Sequence, residues 1–211
     1  MSNKGHVKYY LKSGTLVPGV TTILNILGKQ SLIEWAYQCG LKNIDYKKVR
    51  DSAGDVGTLT HYLILCDLKG EKPDLSEYSP DDIKTAELCM ENYRAWKGLN
   101  NLNPMMIESP MVSETYGYGG TLDLYATLNS RNVLVDFKTS KGIYDSFLYQ
   151  TAAYWQLIQE NTAKIPDAIL IVRIPKTSRE SFETRFITDP YKYFDVFRHC
   201  LCIYALQKEL G

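Results

Sequence analysis

Apolar positions in the first hundred residues recur mostly with a helical period, and from Met105 onward the period shortens to two. Residues 20–27 form a short apolar stretch after Pro18-Gly19. Ser31-Leu-Ile-Glu34 reads as a capping box that opens a helix, and Gly40 ends it. Asp45 starts a long helical pattern reaching Lys69, with Gly70 as its stop. Ser79-Pro80-Asp81-Asp82 combines a cap, a proline at the first helical position and acids in the first turn, and predicts a helix to Trp96.

Strands are predicted over residues 105–108, 111–114, 121–128, 133–139, 168–174 and 182–187, with helices over 145–160 and 190–210. The order is helices, strands, helix, strands, helix. It predicts an α+β class: a mixed β-sheet flanked by helices, with the N-terminal helical segment on one side.

Within this pattern, GGTLDLYATLNSRNVLVDFKTS reads as two alternating strands around a polar turn, Asn129-Ser130-Arg131-Asn132. A four-residue loop places Tyr125 opposite Asp136 and Asp123 opposite Lys138, all on one face. The other face carries Leu122, Leu124, Ala126, Leu128, Val133, Val135 and Phe137, an apolar surface that must be buried. A two-residue loop would leave the faces unchanged.

Asp123 and Asp136 become diagonal neighbours, with backbones roughly 7–8 Å apart, so their carboxylates can converge on one cation. Two carboxylates are the hard oxygen ligands that Mg²⁺ or Mn²⁺ prefers, and such an ion activates water toward a phosphodiester. Lys138, on the same face, can orient that water or balance charge on the phosphate. The competing reading is an exposed Asp123–Lys138 ion pair with Asp136 a solvated neighbour. The hairpin alone does not separate the two.

Composition narrows the setting. Length, 211 residues with 45% hydrophobic content, suits one domain, mainly helical over 1–100 and sheet-based over 101–211. Formal charge is zero, so any nucleic-acid surface must be a local patch. Lys141, Arg173, Lys176, Arg179 and Arg185 are candidates for it. The first ten residues lack a signal-peptide core and no apolar run spans a membrane, which predicts a cytoplasmic protein, or one of the host cytoplasm if viral. Five cysteines without a CxxC pair read as reduced core residues.

Around the hairpin, Gln150 and Tyr154 share a helix face and can offer an amide and a phenol to the lysine, water or phosphate. His61 follows Gly57 by one turn and is a candidate extra ligand leaning toward Mn²⁺. Glu108 is a candidate third carboxylate, with Glu114 its competitor. Each has an ordinary structural explanation when taken alone.

In order along the chain, Val17-Pro-Gly-Val-Thr-Thr-Ile-Leu24, Trp35, Gly57-x-x-x-His61, Glu108, Gly120-Thr-Leu-Asp123, Asp136-Phe-Lys138-Thr and Gln150-x-x-x-Tyr154 resemble the motifs of the PD-(D/E)XK nuclease superfamily. The resemblance is to the branch holding the RecB nuclease domain, lambda-type phage exonucleases and the mitochondrial genome-maintenance exonuclease. It implies a restriction-endonuclease-like core spanning residues 1–211. It also implies metal held by Asp123, Asp136, the Phe137 carbonyl and His61, with Lys138 catalytic. Branch members with an iron-sulfur cluster carry four cysteines, three near the C-terminus; here only Cys200 and Cys202 lie there, so no cluster is expected.

The expectation is therefore a Mg²⁺- or Mn²⁺-dependent DNA exonuclease acting on single strands or duplex ends in recombination, repair or genome processing. No helicase motor is encoded, which leaves unwinding to a recombination or helicase partner; no membrane partner is expected. The alternatives are an endonuclease on the same core and a non-catalytic nucleic-acid-binding protein on a nuclease fold.

Overall fold

The computed structural model describes residues 7–28 and 30–211, with the backbone alone at Gln30 and Ser31. The segment 1–6, read above for a signal peptide, lies outside the described residues. Two short strands, β1 (Tyr9–Tyr10) and β2 (Leu16–Val17), precede α1 (Val20–Leu24), a 3₁₀ turn (Asn25–Leu27), α2 (Gln30–Leu41), α3 (Tyr46–Lys69) and α4 (Pro80–Gly98). The sheet strands β3 (Leu102–Ser113), β4 (Tyr118–Leu128) and β5 (Arg131–Lys138) follow. The chain then runs through α5 (Asp145–Asn161), β6 (Ala168–Arg173), β7 (Glu183–Ile187) and α6 (Tyr191–Leu210).

Local chemistry sets the helix ends. Asp45 caps α3 by accepting the backbone N–H groups of Lys47 and Lys48, and Gly70 closes it in the left-handed conformation at φ 70°. Ser79 caps α4 by accepting from Asp82 N–H, with Pro80 in the first turn. The capping box read at Ser31 rests on a side chain outside those described, and α2 is already helical at Gln30, so Ser31 lies inside the helix.

The sheet order is β3-β4-β5-β6-β7. All pairs are antiparallel except β5 and β6, which are parallel because α5 carries the chain back across the sheet between them. This is the mixed, helix-flanked sheet that the periodicity predicts. One expectation fails: the N-terminal helices do not share a side. Val20 and Ile23 of α1 join the α5 and α6 residues in one core, while α3 and α4 cover the opposite face. The two strands expected over 105–108 and 111–114 are the single strand β3, with an irregularity between Pro104 and Met106.

The chain before α1 is strapped onto the sheet. Gly19 bridges Gly119, and Gly119 N–H donates to the Pro18 carbonyl at 3.0 Å. A Cβ at Gly119 would stand 2.2 Å from the Tyr9 ring, so this approach requires glycine. No helix among the described residues is long and apolar enough to cross a membrane. The cysteines are free thiols; Cys39, Cys66, Cys89 and Cys200 are buried as expected, but Cys202 is exposed.

Candidate active site

The central hairpin turns on two residues, not four. Asn129 and Ser130 both take positive φ, 49° and 69°, the backbone twist that suits a two-residue hairpin. Asn129 Oδ1 accepts from Asn101 N–H and its Nδ2 donates to Asn100 Oδ1, which secures the turn. Register shifts accordingly: Leu128 pairs with Arg131, Tyr125 with Leu134, and Leu124 with Val135. Asp123 therefore comes level with Asp136 rather than with Lys138, and from Leu124 to Leu128 the side-chain faces are preserved.

Beyond Leu124 the regular ladder between β4 and β5 stops. Asp123 takes its place: Oδ2 accepts the Phe137 backbone N–H at 2.9 Å. The same oxygen stands 3.6 Å from His61 Nδ1 of α3. Alternation breaks here too. Leu124, Ala126, Leu128, Val133, Val135 and Phe137 face α3 and α4 as expected, whereas Leu122 packs with Tyr125 and Leu134 under α5 and α6.

Asp136 is 1% exposed, and neither carboxylate oxygen has a hydrogen-bond partner. Lys138 Nζ approaches Oδ2 to 2.7 Å as an ion pair without hydrogen-bond geometry, and also sits 5.0 Å above the Phe147 ring of α5. The exposed Asp123–Lys138 pair is thus overturned: the lysine pairs with Asp136, and the pair is buried. Burial pushes the Asp136 carboxyl up to about 6; Lys138 opposes that shift and the charge on Asp123 adds to it. For Lys138, burial works against the ammonium, but the two carboxylates outweigh it and raise its pKa. Burial thus outweighs the ion pair at Asp136, with Asp123 adding to it, whereas at Lys138 the two carboxylates outweigh burial.

Gln150 and Tyr154 engage each other: Gln150 Nε2 donates to Tyr154 Oη at 2.9 Å. The Tyr154 phenol is buried and its pKa raised, by desolvation first and by Asp136 and Asp123 further, so it stays protonated. A Cβ at Gly120 would meet its ring at 2.6 Å, which makes Gly120 a packing requirement. At Gly57 the fit is close but less strict, since a Cβ there would lie 3.1 Å from the Thr139 hydroxyl where α3 passes the end of β5.

Two cavities, each about 750 Å³, flank this centre. The first is lined by His61, Asp123, Lys138, Ser140, Arg50 and Lys176; the second by Tyr9, Thr21, Tyr154 and Lys208; Glu108 and Thr121 line both. Glu108 holds φ at 46°, a left-handed conformation costly for a residue with a Cβ and common where function demands it. Lys69 Nζ lies 3.5 Å from its carboxylate. Glu114, its competitor, accepts Lys12 N–H on the surface and lines neither cavity.

The proposed positive patch is corrected. Of its five residues only Lys176 lines the first cavity; Lys141, Arg179 and Arg185 are exposed elsewhere, and Arg173 is buried. Arg50 on α3 and Ser140 after β5 line the cavity instead, without a motif to announce them. Among the described residues, no group of three or more His, Cys, Asp or Glu side chains is set to hold a metal ion, with the lysine ammonium against Asp136 in this arrangement. The donor set nonetheless fits a hard cation: an unsatisfied buried carboxylate on β5, a second carboxylate level with it on β4, and His61 beside that one.

No family model matches the chain, and no curated protein matches it significantly. Among solved structures it is similar to a "putative exonuclease" from Eubacterium rectale, with a TM-score of 0.51 at 14% identity over 72% of this chain and 65% of that one. It also matches LHK-Exo in complex with dAMP, with a TM-score of 0.42 at 10% identity over 75% of this chain and 86% of that one. At such identity the first likeness is one of fold, and this chain spans just under two thirds of that protein's length.

Proposed function

We propose that residues 1–211 form one PD-(D/E)XK nuclease domain of the RecB and lambda-exonuclease branch, a metal-dependent DNA exonuclease of recombination, repair or genome processing. The observation that carries this reading is Asp136, a carboxylate with no hydrogen bond, buried beside a second carboxylate and a lysine. The lysine ammonium offsets one of the two carboxylates, and holding the second charge beside that buried pair is costly unless a further cation compensates it. The shared fold and the order of the motifs support the same assignment.

Asp123, Asp136, the Phe137 carbonyl, His61 and Glu108 are the groups that would hold Mg²⁺ or Mn²⁺. When bound, such an ion supplies Lewis acidity toward a phosphate oxygen and lowers the pKa of water. Lys138, whose ammonium the two carboxylates favour, would orient the attacking water or balance charge building on the phosphate. Phe147 keeps its ammonium in place through the ring face. Gln150 and the protonated Tyr154 are neutral donors at the edge of the centre, suited to holding a phosphate oxygen or water without adding charge.

The test is digestion of 5′-labelled, 3′-labelled and covalently closed circular DNA in Mg²⁺ and in Mn²⁺. Linear substrates should be degraded from an end and circles left intact, with Lys138→Ala reducing the rate by about 100-fold or more. No hydrolysis of any linear DNA in Mn²⁺, or full activity in Lys138→Ala, would overturn the reading. Cleavage of circles would make it an endonuclease.

A further inference from the structure

Arg173 ends β6 in parallel register with Lys138, yet its side chain is 3% exposed and turned away from the cavities. Its guanidinium makes three bonds at once. Nε donates to the Ser140 carbonyl at 2.8 Å, one terminal nitrogen to the Ser181 carbonyl, and the other to Glu180 at 2.7 Å. Glu180 also accepts the Lys176 backbone N–H at 3.4 Å, and Lys176 Nζ donates to the Ala53 carbonyl of α3 at 2.6 Å. A continuous polar chain thus runs from the exit of β5, through the β6–β7 loop, to α3.

Ser140, Lys176 and Ala53 line the cavity that opens on Asp123 and Lys138. Arg173 does not touch that space, but it ties the loops forming two of its walls. The body of β6 is held independently, because residues 168–172 are buried between β5 and β7. Asp136 and Lys138 are likewise fixed by the β5–β6 ladder. Removing the guanidinium should therefore free the walls while leaving the sheet and its reactive groups in place. Only an arginine's planar fork can serve these three acceptors together.

We propose that Arg173, balanced by Glu180, is a positioning residue that sets the width of the substrate entrance beside Lys138. This rests on the nuclease reading above. The measurement is steady-state hydrolysis of a labelled single-stranded oligonucleotide in Mn²⁺, with anisotropy of the same oligonucleotide in parallel and circular dichroism to follow the fold. Arg173→Met should raise KM about tenfold with kcat within about twofold, since a misplaced wall weakens binding more than chemistry. Arg173→Lys should not restore KM, and Glu180→Gln, which keeps an acceptor oxygen, should raise it less than Arg173→Met does.

Wild-type KM in both Arg173→Met and Glu180→Gln, or a fall in kcat at unchanged KM, overturns the proposal while leaving the nuclease reading intact. So does unfolding of both variants, which would make Arg173 an element of the whole fold. If the wild type binds the oligonucleotide without cutting it, the nuclease reading falls and the dissociation constants decide Arg173. If it neither binds nor cuts, both fall.

Discussion

Asp123 performs two separable tasks, and replacing it in two ways should pull them apart. Its Oδ2 accepts the N–H of Phe137, a residue 1% exposed, where the β4–β5 ladder no longer supplies a partner. Asp123→Ala leaves that N–H buried and unpaired, which costs about 1–3 kcal/mol. Asp123→Asn can keep the bond, because an amide oxygen accepts in the same position. Both substitutions remove the negative charge that pushes up the Asp136 pKa, so that relief is common to the two and cancels in their difference. The alanine variant should therefore be less stable than the asparagine variant by about 1–3 kcal/mol.

For a chain of this size each kcal/mol moves the midpoint by about 2–4 °C, so the two variants should melt roughly 2–12 °C apart. Calorimetry in chelator reads this without interference from bound cations. Hydrolysis of linear DNA in Mn²⁺ should meanwhile fall in both variants by about 100-fold or more, as neither offers the second carboxylate. Equal melting of the two variants would refute the structural task, and wild-type hydrolysis by Asp123→Asn would refute the chemical one.

Burial raises the Asp136 carboxyl to about 6, so the folded state binds a proton more tightly than the unfolded chain does. Its ionisation therefore draws down the stability of the metal-free protein as pH rises between about 4 and about 6. The melting temperature of the wild type relative to Asp136→Asn should decline across that window in chelator, and a flat difference would contradict the buried, unsatisfied state of Asp136. At Glu108, whose φ is 46°, both Gly and Ala remove the carboxylate but only Ala keeps the strained Cβ. Glu108→Gly should thus be more stable than Glu108→Ala by about 1 kcal/mol, read by urea denaturation, with hydrolysis reduced in both; equal stabilities would mean the backbone relaxes there without cost.

What the sequence made legible was what neighbouring residues decide. Asp45 and Ser79 cap helices through bonds to residues two or three positions away, so their patterns predict the helix starts. The two-residue period of a strand likewise put Asp123, Asp136 and Lys138 on one face. The turn length stayed hidden, since Asn-Ser-Arg-Asn is polar throughout and only the conformations of Asn129 and Ser130 separate two residues from four. Partner choice was hidden as well: Lys138 meets Asp136 rather than Asp123 because the shorter turn shifts the register by two. Arg173 was misjudged for a similar reason. Its three acceptors lie between 7 and 33 positions away, and no local signal marks a buried arginine. Strands as short as β1 and β2 carry too little period to be read at all.

These non-local features bear directly on the choice between an ordinary ion pair and a reactive centre. An exposed pair contributes little and needs no special surroundings. Here the pair is buried, Asp136 lacks hydrogen bonds, Asp123 faces it, and Glu108 holds a strained backbone alongside. Apart from the bond Asp123 accepts from Phe137, each of these works against stability, and well-packed apolar residues in place of the buried pair would relieve it. Asp123 and Lys138 line one cavity and Glu108 lines both, on a sheet whose strands are otherwise regularly paired. Such a gathering of costs around one pair of carboxylates is what a chemical task would require, because a ligand that satisfies the carboxylates recovers the energy their burial withholds.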